Sequence, residues 1–171
     1  QTWPKRCGHM SGKSIISREE MTSKIRAVIR AREEEGSDLV IGARTDARAI
    51  EGFDKTIERA VAYANAGADY VYVECPQSIE EVEYLVKKIQ IPLAFNLIPG
   101  GKTPLFPISE LEAIGVKYLS IPMVCLYPAV KAMSSALEAL KDWDLHKVGE
   151  LGINWSEFND LIGARRWRER E

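Results

Sequence analysis

The chain has 171 residues, 46% of them apolar and 28% charged, with a formal net charge of −2. That composition suits one sizeable globular core and gives no electrostatic footing for a nucleic-acid or anionic-membrane partner. No apolar run approaches the roughly 20 residues that span a bilayer. Its cysteines, Cys7, Cys75 and Cys125, are widely spaced and fit neither a disulfide framework nor a zinc site, so a reducing, cytoplasmic setting is expected.

In chain order the pattern alternates helix and strand. Ser17-x-x-Glu20 reads as a capping box, opening a helix with Met21, Ile25, Val28 and Ile29 on one face and Gly36 as its stop. Leu39 to Ala43 reads as a buried strand. The next helix has Asp54 as its cap, a stripe of Ile57, Ala60, Val61 and Ala64, and Gly67 at its end. Tyr70 to Val73 is a second strand. Ser78-x-x-Glu81 is another capping box, ahead of a helix that turns Val82, Leu85, Val86 and Ile89 to one side. Leu93 to Phe95 is predicted as a strand, Ser109 to Ile114 as a short helix and Val116 to Ile121 as a strand. A long helix with Leu126, Val130, Met133, Leu137 and Leu140 follows. From Asp142 the sequence predicts a hinge, a terminal helix over Ser156 to Ile162 and a charged tail.

Four βα units in a row, with continuous apolar strands, predict an α/β fold of parallel strands covered by helices. No G-x-G-x-x-G or Walker-type loop supports a nucleotide-binding open sheet. The alternative is a parallel (β/α)8 TIM-type barrel, which needs eight such units and typically about 250 residues. Residues 1–141 are therefore expected to form the C-terminal half of a barrel, about strands 5–8, and 142–171 a helical tail. Because a half-barrel leaves two sheet edges unpaired, about four further βα units are expected upstream.

Barrel chemistry lies at the carboxyl ends of the strands. The first predicted strand runs into Arg44-Thr45-Asp46, the second into Glu74-Cys75 and the third into Asn96. Arginine suits a planar carboxylate or phosphonate, glutamate a metal shell or proton relay, and asparagine offers both donor and acceptor. The plainer reading is that these side chains cap helices or pair with one another. In Lys5-Arg6-Cys7-Gly8-His9, two cations and an imidazole should make the thiol more acidic, while Gly8 lets backbone approach a ligand. An incidental loop cysteine is the plainer alternative there. Pro99-Gly100-Gly101-Lys102-Thr103-Pro104 is either a substrate-facing loop or a turn. Cys75 and Cys125 read as packing residues, and His146 lies outside the chemistry. Trp143, Trp155 and Trp167 suggest apolar surface that needs a partner or packs on the chain's own barrel.

Pro4-Lys5-Arg6-Cys7-Gly8-His9, followed by Ala43-Arg44-Thr45-Asp46-Ala47, resembles the isocitrate lyase/phosphoenolpyruvate mutase superfamily, and within it the methylisocitrate lyase-like branch. The likeness continues through Ile50-Glu51-Gly52, Ile57-Glu58-Arg59-Ala60, Ala66-Gly67-Ala68-Asp69, Glu74, Asn96, Gly100-Gly101-Lys102-Thr103-Pro104-Leu105 and Phe158-Asn159-x-Leu161-Ile162-Gly163. The resemblance implies a Mg²⁺- or Mn²⁺-dependent carbon–carbon lyase that cleaves a 2-hydroxy di- or tricarboxylate to a 2-oxo acid and a dicarboxylate. It further implies a homotetramer, a dimer of dimers, whose terminal helix swaps onto a neighbouring subunit. Carried over, Cys7 is the general acid that protonates an enolpyruvate-type carbanion, with His9 assisting in the same loop. Gly8 contacts a substrate carboxylate, Arg44 clamps one, and Asn96 with Leu97 and Ile98 binds the substrate's distal part. Glu74 belongs to the metal and substrate shell at second-shell distance; the family's direct Mg²⁺ carboxylates lie upstream of this sequence, so no direct ligand is expected in it. Tyr127 stands where methylisocitrate lyases carry an arginine for the extra acid group, and Pro122 where oxaloacetate hydrolases tend to have serine. Cys7 also departs from phosphoenolpyruvate mutase itself, whose loop carries asparagine. A carboxyphosphonoenolpyruvate phosphonomutase-like or oxaloacetate decarboxylase-like enzyme, and an inactive half-barrel serving only assembly, are the competing readings.

Overall fold

The computed structural model describes residues 1–170 and divides into two compact units, Gln1–Pro122 and Met123–Glu171. The first unit carries strands β1 (Gly42–Thr45), β2 (Tyr70–Val73), β3 (Leu93–Asn96) and β4 (Tyr118–Ser120), with helices α1 (Arg18–Glu34), α2 (Phe53–Asn65), α3 (Ile79–Ile89) and α4 (Ile108–Ile114). The strands form one sheet in the order β1-β2-β3-β4, every pair parallel. A doubly wound sheet reverses its strand order at a switch point. Strictly sequential order is instead the arrangement of successive units in a βα barrel.

Alternation along each strand separates two faces. Ala43, Val71, Val73, Leu93 and Phe95 are buried in the core with Ile25 of α1, Ala60 and Tyr63 of α2, Val82, Leu85 and Ile89 of α3, and Leu111 of α4. On the other face Tyr70 and Tyr118 stack with ring centroids 5.1 Å apart. A parallel sheet normally buries both faces, and here the helices of this unit cover one.

The helix starts follow the sequence in part. Ser17 and Ser78 each accept the backbone N–H three residues on, from Glu20 and Glu81. Neither glutamate returns the bond to its serine; Glu81 instead accepts the backbone N–H of Gln77 at 2.9 Å. Glu20 sits 2.7 Å from Lys24, and Glu81 2.6 Å from Arg48. Asp54 is not a cap: Gly52 holds that position without a side-chain bond, and Asp54 lies inside the first turn, where its charge favours the helix dipole. The strand expected over Leu39 to Ala43 is displaced to Gly42–Thr45, leaving Leu39 and Val40 exposed. Pairing decides this, since Gly42 is in register with Tyr70 at the start of β2. The fourth strand likewise shrinks from Val116–Ile121 to Tyr118–Ser120, the residues that face Ala94 to Asn96.

The second unit is helical: α5 (Leu126–Lys141), α6 (Leu145–Glu150), α7 (Trp155–Leu161) and α8 (Ala164–Arg168). Helix α6 stands where the sequence predicts a hinge. Asp144 nucleates it by accepting the Lys147 N–H. Among the described residues of this unit only Ala139 is buried, while Leu126, Val130, Met133, Leu137 and Leu140 are exposed. No helix among the described residues is long and apolar enough to cross a membrane.

Candidate active site

The sheet register lines up polar residues at the carboxyl ends of three strands. Thr45 pairs with Val73 and Tyr72 with Ala94, so Asp46, Glu74 and Asn96 fall in one row across the sheet. Arg44 lies two residues before Asp46 on the same face, its guanidinium 5.4 Å from the centroid of the Tyr72 ring. The segment before α1 folds back over this row. Thr2 and Ser14 close its base through a backbone bond of 2.9 Å, and Gly8 presses so close to Glu74 that a Cβ there would lie 2.3 Å from the carboxylate. Only glycine permits that approach.

The result is a cavity of about 500 Å³ lined by Cys7, Gly8, His9, Arg44, Glu74 and Asn96, together with the cationic Lys5, Arg6 and Lys24. Six of the eight residues singled out from the sequence thus meet in one space. Leu97 and Ile98 do not line it; Leu97 is buried in the hydrophobic core, because its side chain alternates to the helix-covered face. Cys7 is exposed at the cavity.

Charge inside the site is tightly paired. Glu74 is 1% exposed and lies 2.9 Å from Arg44 Nη2 and 3.1 Å from His9 Nε2, with the Asn96 amide donating to Oε2 at 3.4 Å. Asp46 accepts Arg44 Nε and Nη2, both at 3.1 Å, and lies 3.3 Å from Lys13 Nζ. Burial alone would raise the Asp46 carboxyl, but the hydrogen bonds and charges of Arg44 and Lys13 hold it below the ordinary carboxylate range. Arg44 is pushed up in return: burial opposes its charge, and the Asp46 bond with the Glu74 charge more than offsets this. The forked edge of Arg44 is therefore spent on Asp46, and among the described residues its Nη1 has no protein partner. An incoming carboxylate meets that one nitrogen rather than the whole fork.

Three contributors were not singled out as site residues. Asp46 was seen only as part of a strand end. Lys13, with a side chain 2% exposed, bridges Asp46 and the Gly8 carbonyl. Cys75, read as packing, has φ of 59° and directs its thiol to the Gly8 carbonyl at 3.6 Å and to Glu74 at 3.4 Å. Burial, then the Glu74 charge, pushes that thiol up to about 12, so it is a proton-bearing donor at neutral pH. A positive φ outside glycine signals a position held by its surroundings. A lysine thirteen residues into a polar segment carries no such signal in sequence.

His9, Glu74 and Cys75 offer N, O and S atoms within 4.8 Å of one another. That set does not fit Mg²⁺, a hard ion that takes an octahedron of oxygens and retains several waters. Both carboxylates at the cavity are already engaged by cations, Asp46 by Lys13 and Arg44 and Glu74 by Arg44, with His9 Nε2 also against Glu74.

Residues 5–141 match the family model for phosphoenolpyruvate phosphomutase. The chain is 42% identical over 172 residues to a 2,3-dimethylmalate lyase of Eubacterium barkeri, covering 100% of this chain and 59% of the relative. It is 36% identical to a 2-methylisocitrate lyase of Aeropyrum pernix, covering all of this chain and 54% of that one. Among solved structures, a 2,3-dimethylmalate lyase of the PEP mutase/isocitrate lyase superfamily superposes with a TM-score of 0.84 at 30% identity, over 99% of this chain and 56% of the other. The chain spans a little over half the length of these relatives.

Proposed function

The chain belongs to the phosphoenolpyruvate mutase/isocitrate lyase superfamily, and from that premise we propose that it carries the proton-donating part of a carbon–carbon lyase site acting on a 2-hydroxy dicarboxylate. The observation that supports this best is the meeting of Cys7, Arg44, Glu74 and Asn96 in one cation-rich cavity. A dicarboxylate is favoured over a tricarboxylate because, by resemblance, Tyr127 replaces the arginine that methylisocitrate lyases carry for the extra acid group.

Electron balance defines the task. When the bond between the carbinol carbon and its neighbour breaks, the hydroxyl gives its proton to solvent, the carbinol carbon becomes the carbonyl of a 2-oxo acid, and the bonding pair stays on the other fragment. The carbon that needs a proton is therefore next to the second carboxylate, rather than on an enolpyruvate as the resemblance suggested. Arg44 Nη1, braced by Asp46, meets the developing negative charge. Cys7, on the segment facing it, delivers the proton to carbon. Asn96, anchored on Glu74, offers its remaining N–H to the distal acid group. The described residues do not supply a Mg²⁺ shell, and no step here runs through one; Glu74 serves as the fixed anion that orients Arg44, His9 and Asn96.

The apolar exposure of Met123–Glu171 supports a second proposal from the same premise, that copies of this chain cover this unit by exchanging terminal helices. Sedimentation of the chain at several concentrations tests it, and a monomer throughout would end it.

The activity test is pyruvate release from 2,3-dimethylmalate, 2-methylisocitrate and oxaloacetate, with and without Mg²⁺, read through NADH oxidation by lactate dehydrogenase. It is run on this chain and on a version extended upstream. Pyruvate from 2,3-dimethylmalate in either form supports the lyase reading. Pyruvate from oxaloacetate only moves the assignment to decarboxylation. None from any substrate overturns the lyase reading in favour of phosphonate chemistry or an assembly role.

A further inference from the structure

The imidazole of His9 contacts the Lys102 N–H and, at 3.6 Å, the Cys75 thiol through Nδ1, and Glu74 through Nε2; together these fix its protonation pattern. Nδ1 accepts the backbone N–H of Lys102 at 2.9 Å. A main-chain amide can only donate, so Nδ1 must present its lone pair. In the neutral ring the proton then resides on Nε2, which lies 3.1 Å from the Glu74 carboxylate but off the angle of a hydrogen bond. Lys102 can do this because the segment before it is a preformed turn. Gly101 N–H donates to the Ile98 carbonyl at 2.9 Å, Pro99 sets the first corner and Gly100 takes φ of +74° at the second; this is the Pro-Gly pattern of a type II turn. Gly101 then lies flat against the ring, where an added Cβ would be 2.8 Å from Cε1 and 2.9 Å from Nδ1.

The neighbouring peptide is gripped from the other side. The Gly8 carbonyl accepts from Lys13 Nζ, whose charge is anchored by Asp46, and from the Cys75 thiol. Three donors from three separate segments thus converge on two consecutive residues, directly after Cys7.

We propose that the turn Ile98–Lys102 and the Lys13–Asp46 pair form a seat that fixes His9 as the Nε2–H tautomer and docks the Cys7 loop, making Gly101 and Lys13 positioning residues for the cysteine. This rests on the reading of Cys7 as proton donor only for its consequence; the seat itself is read without turnover. A turn next in sequence to one strand therefore sets the ring orientation of a loop more than ninety residues earlier in sequence.

The test is a long-range ¹H–¹⁵N spectrum of the chain labelled in histidine, with exposed His146 as internal reference, together with the rate of tryptic cleavage after Arg6. The seat predicts an Nε2–H pattern for His9. Gly101→Ala should convert His9 to the averaged pattern of a free imidazole and speed cleavage after Arg6 roughly tenfold, the scale of losing one buried hydrogen bond, with His146 unchanged. Lys13→Met should speed cleavage similarly while leaving the tautomer in place, since the Lys102 bond remains. If Lys13→Met fails to fold, Gly101→Ala in an otherwise exposed turn still decides. An Nδ1–H pattern in the unaltered chain, or an unchanged spectrum and cleavage rate in Gly101→Ala, overturns the proposal. Absence of lyase activity would leave these readouts untouched and would count only against the functional reading.

Discussion

The two units of the chain use similar sequence patterns to different ends. In Gln1–Pro122 each apolar stripe meets another: Ile25, Tyr63, Leu85 and Phe95 are all buried in one cluster. In Met123–Glu171 the stripe of α5 is as regular, yet Leu126, Val130, Met133 and Leu137 stay exposed, as do Trp143, Trp155 and Trp167. Periodicity therefore states which residues want burial but not what buries them. A sheet supplies a broad face for helices to cover. Four helices without a sheet, three of them two turns or shorter, have little surface to offer one another.

That contrast can be broken most sharply in the core. Phe95→Ala should destabilise the first unit by about 3–5 kcal/mol in urea unfolding, because its ring is fully buried between sheet and helices. A loss under 1 kcal/mol would mean that the unit is looser than its packing implies. Next in size, Cys7→Ser should cut turnover about 10²-fold or more, on the scale of losing a general acid, with the unfolding midpoint unchanged. Full activity would remove Cys7 from the chemistry.

Acid should act on the first unit through Asp46. Its folded value is depressed, so the stability it contributes is present above its ordinary 3.8 and is lost as pH falls through the lower folded value. Asp46→Asn should flatten the fall in thermal midpoint below about pH 4; an unaltered profile would show that Lys13 and Arg44 do not act through this carboxylate. Ser78→Ala removes the cap of α3 and should cost about 1 kcal/mol, detectable as a shifted urea midpoint. The smallest effect belongs to the second unit. Leu137→Ala, at a side chain 63% exposed, should change monomer stability by less than about 0.5 kcal/mol. If copies of the chain cover this helix, the same change should weaken their association, which sedimentation would show.

Sequence alone was enough to place the strand over Tyr70 to Val73, the helix stripes of α1 to α3 and both serine caps, because local spacing and capping chemistry act over a few residues. It also pointed to Arg44, Glu74 and Asn96, since strand-end position is local information in a βα repeat, and to Cys7 through the resemblance of its loop. What it left open depends on partners distant in the chain. The start of β1 was set by register with Tyr70, and the engagement of Glu20 by Lys24, and of Glu81 by Arg48 and the Gln77 N–H, took both glutamates away from their serines. Lys13 joined the site only because the first segment folds over the sheet onto Asp46, and Cys75 only because a positive φ turns its thiol to Gly8. Patterns along a chain record what each residue prefers; tertiary structure decides which of several charged or polar neighbours satisfies that preference, because those neighbours meet only when distant segments are packed together.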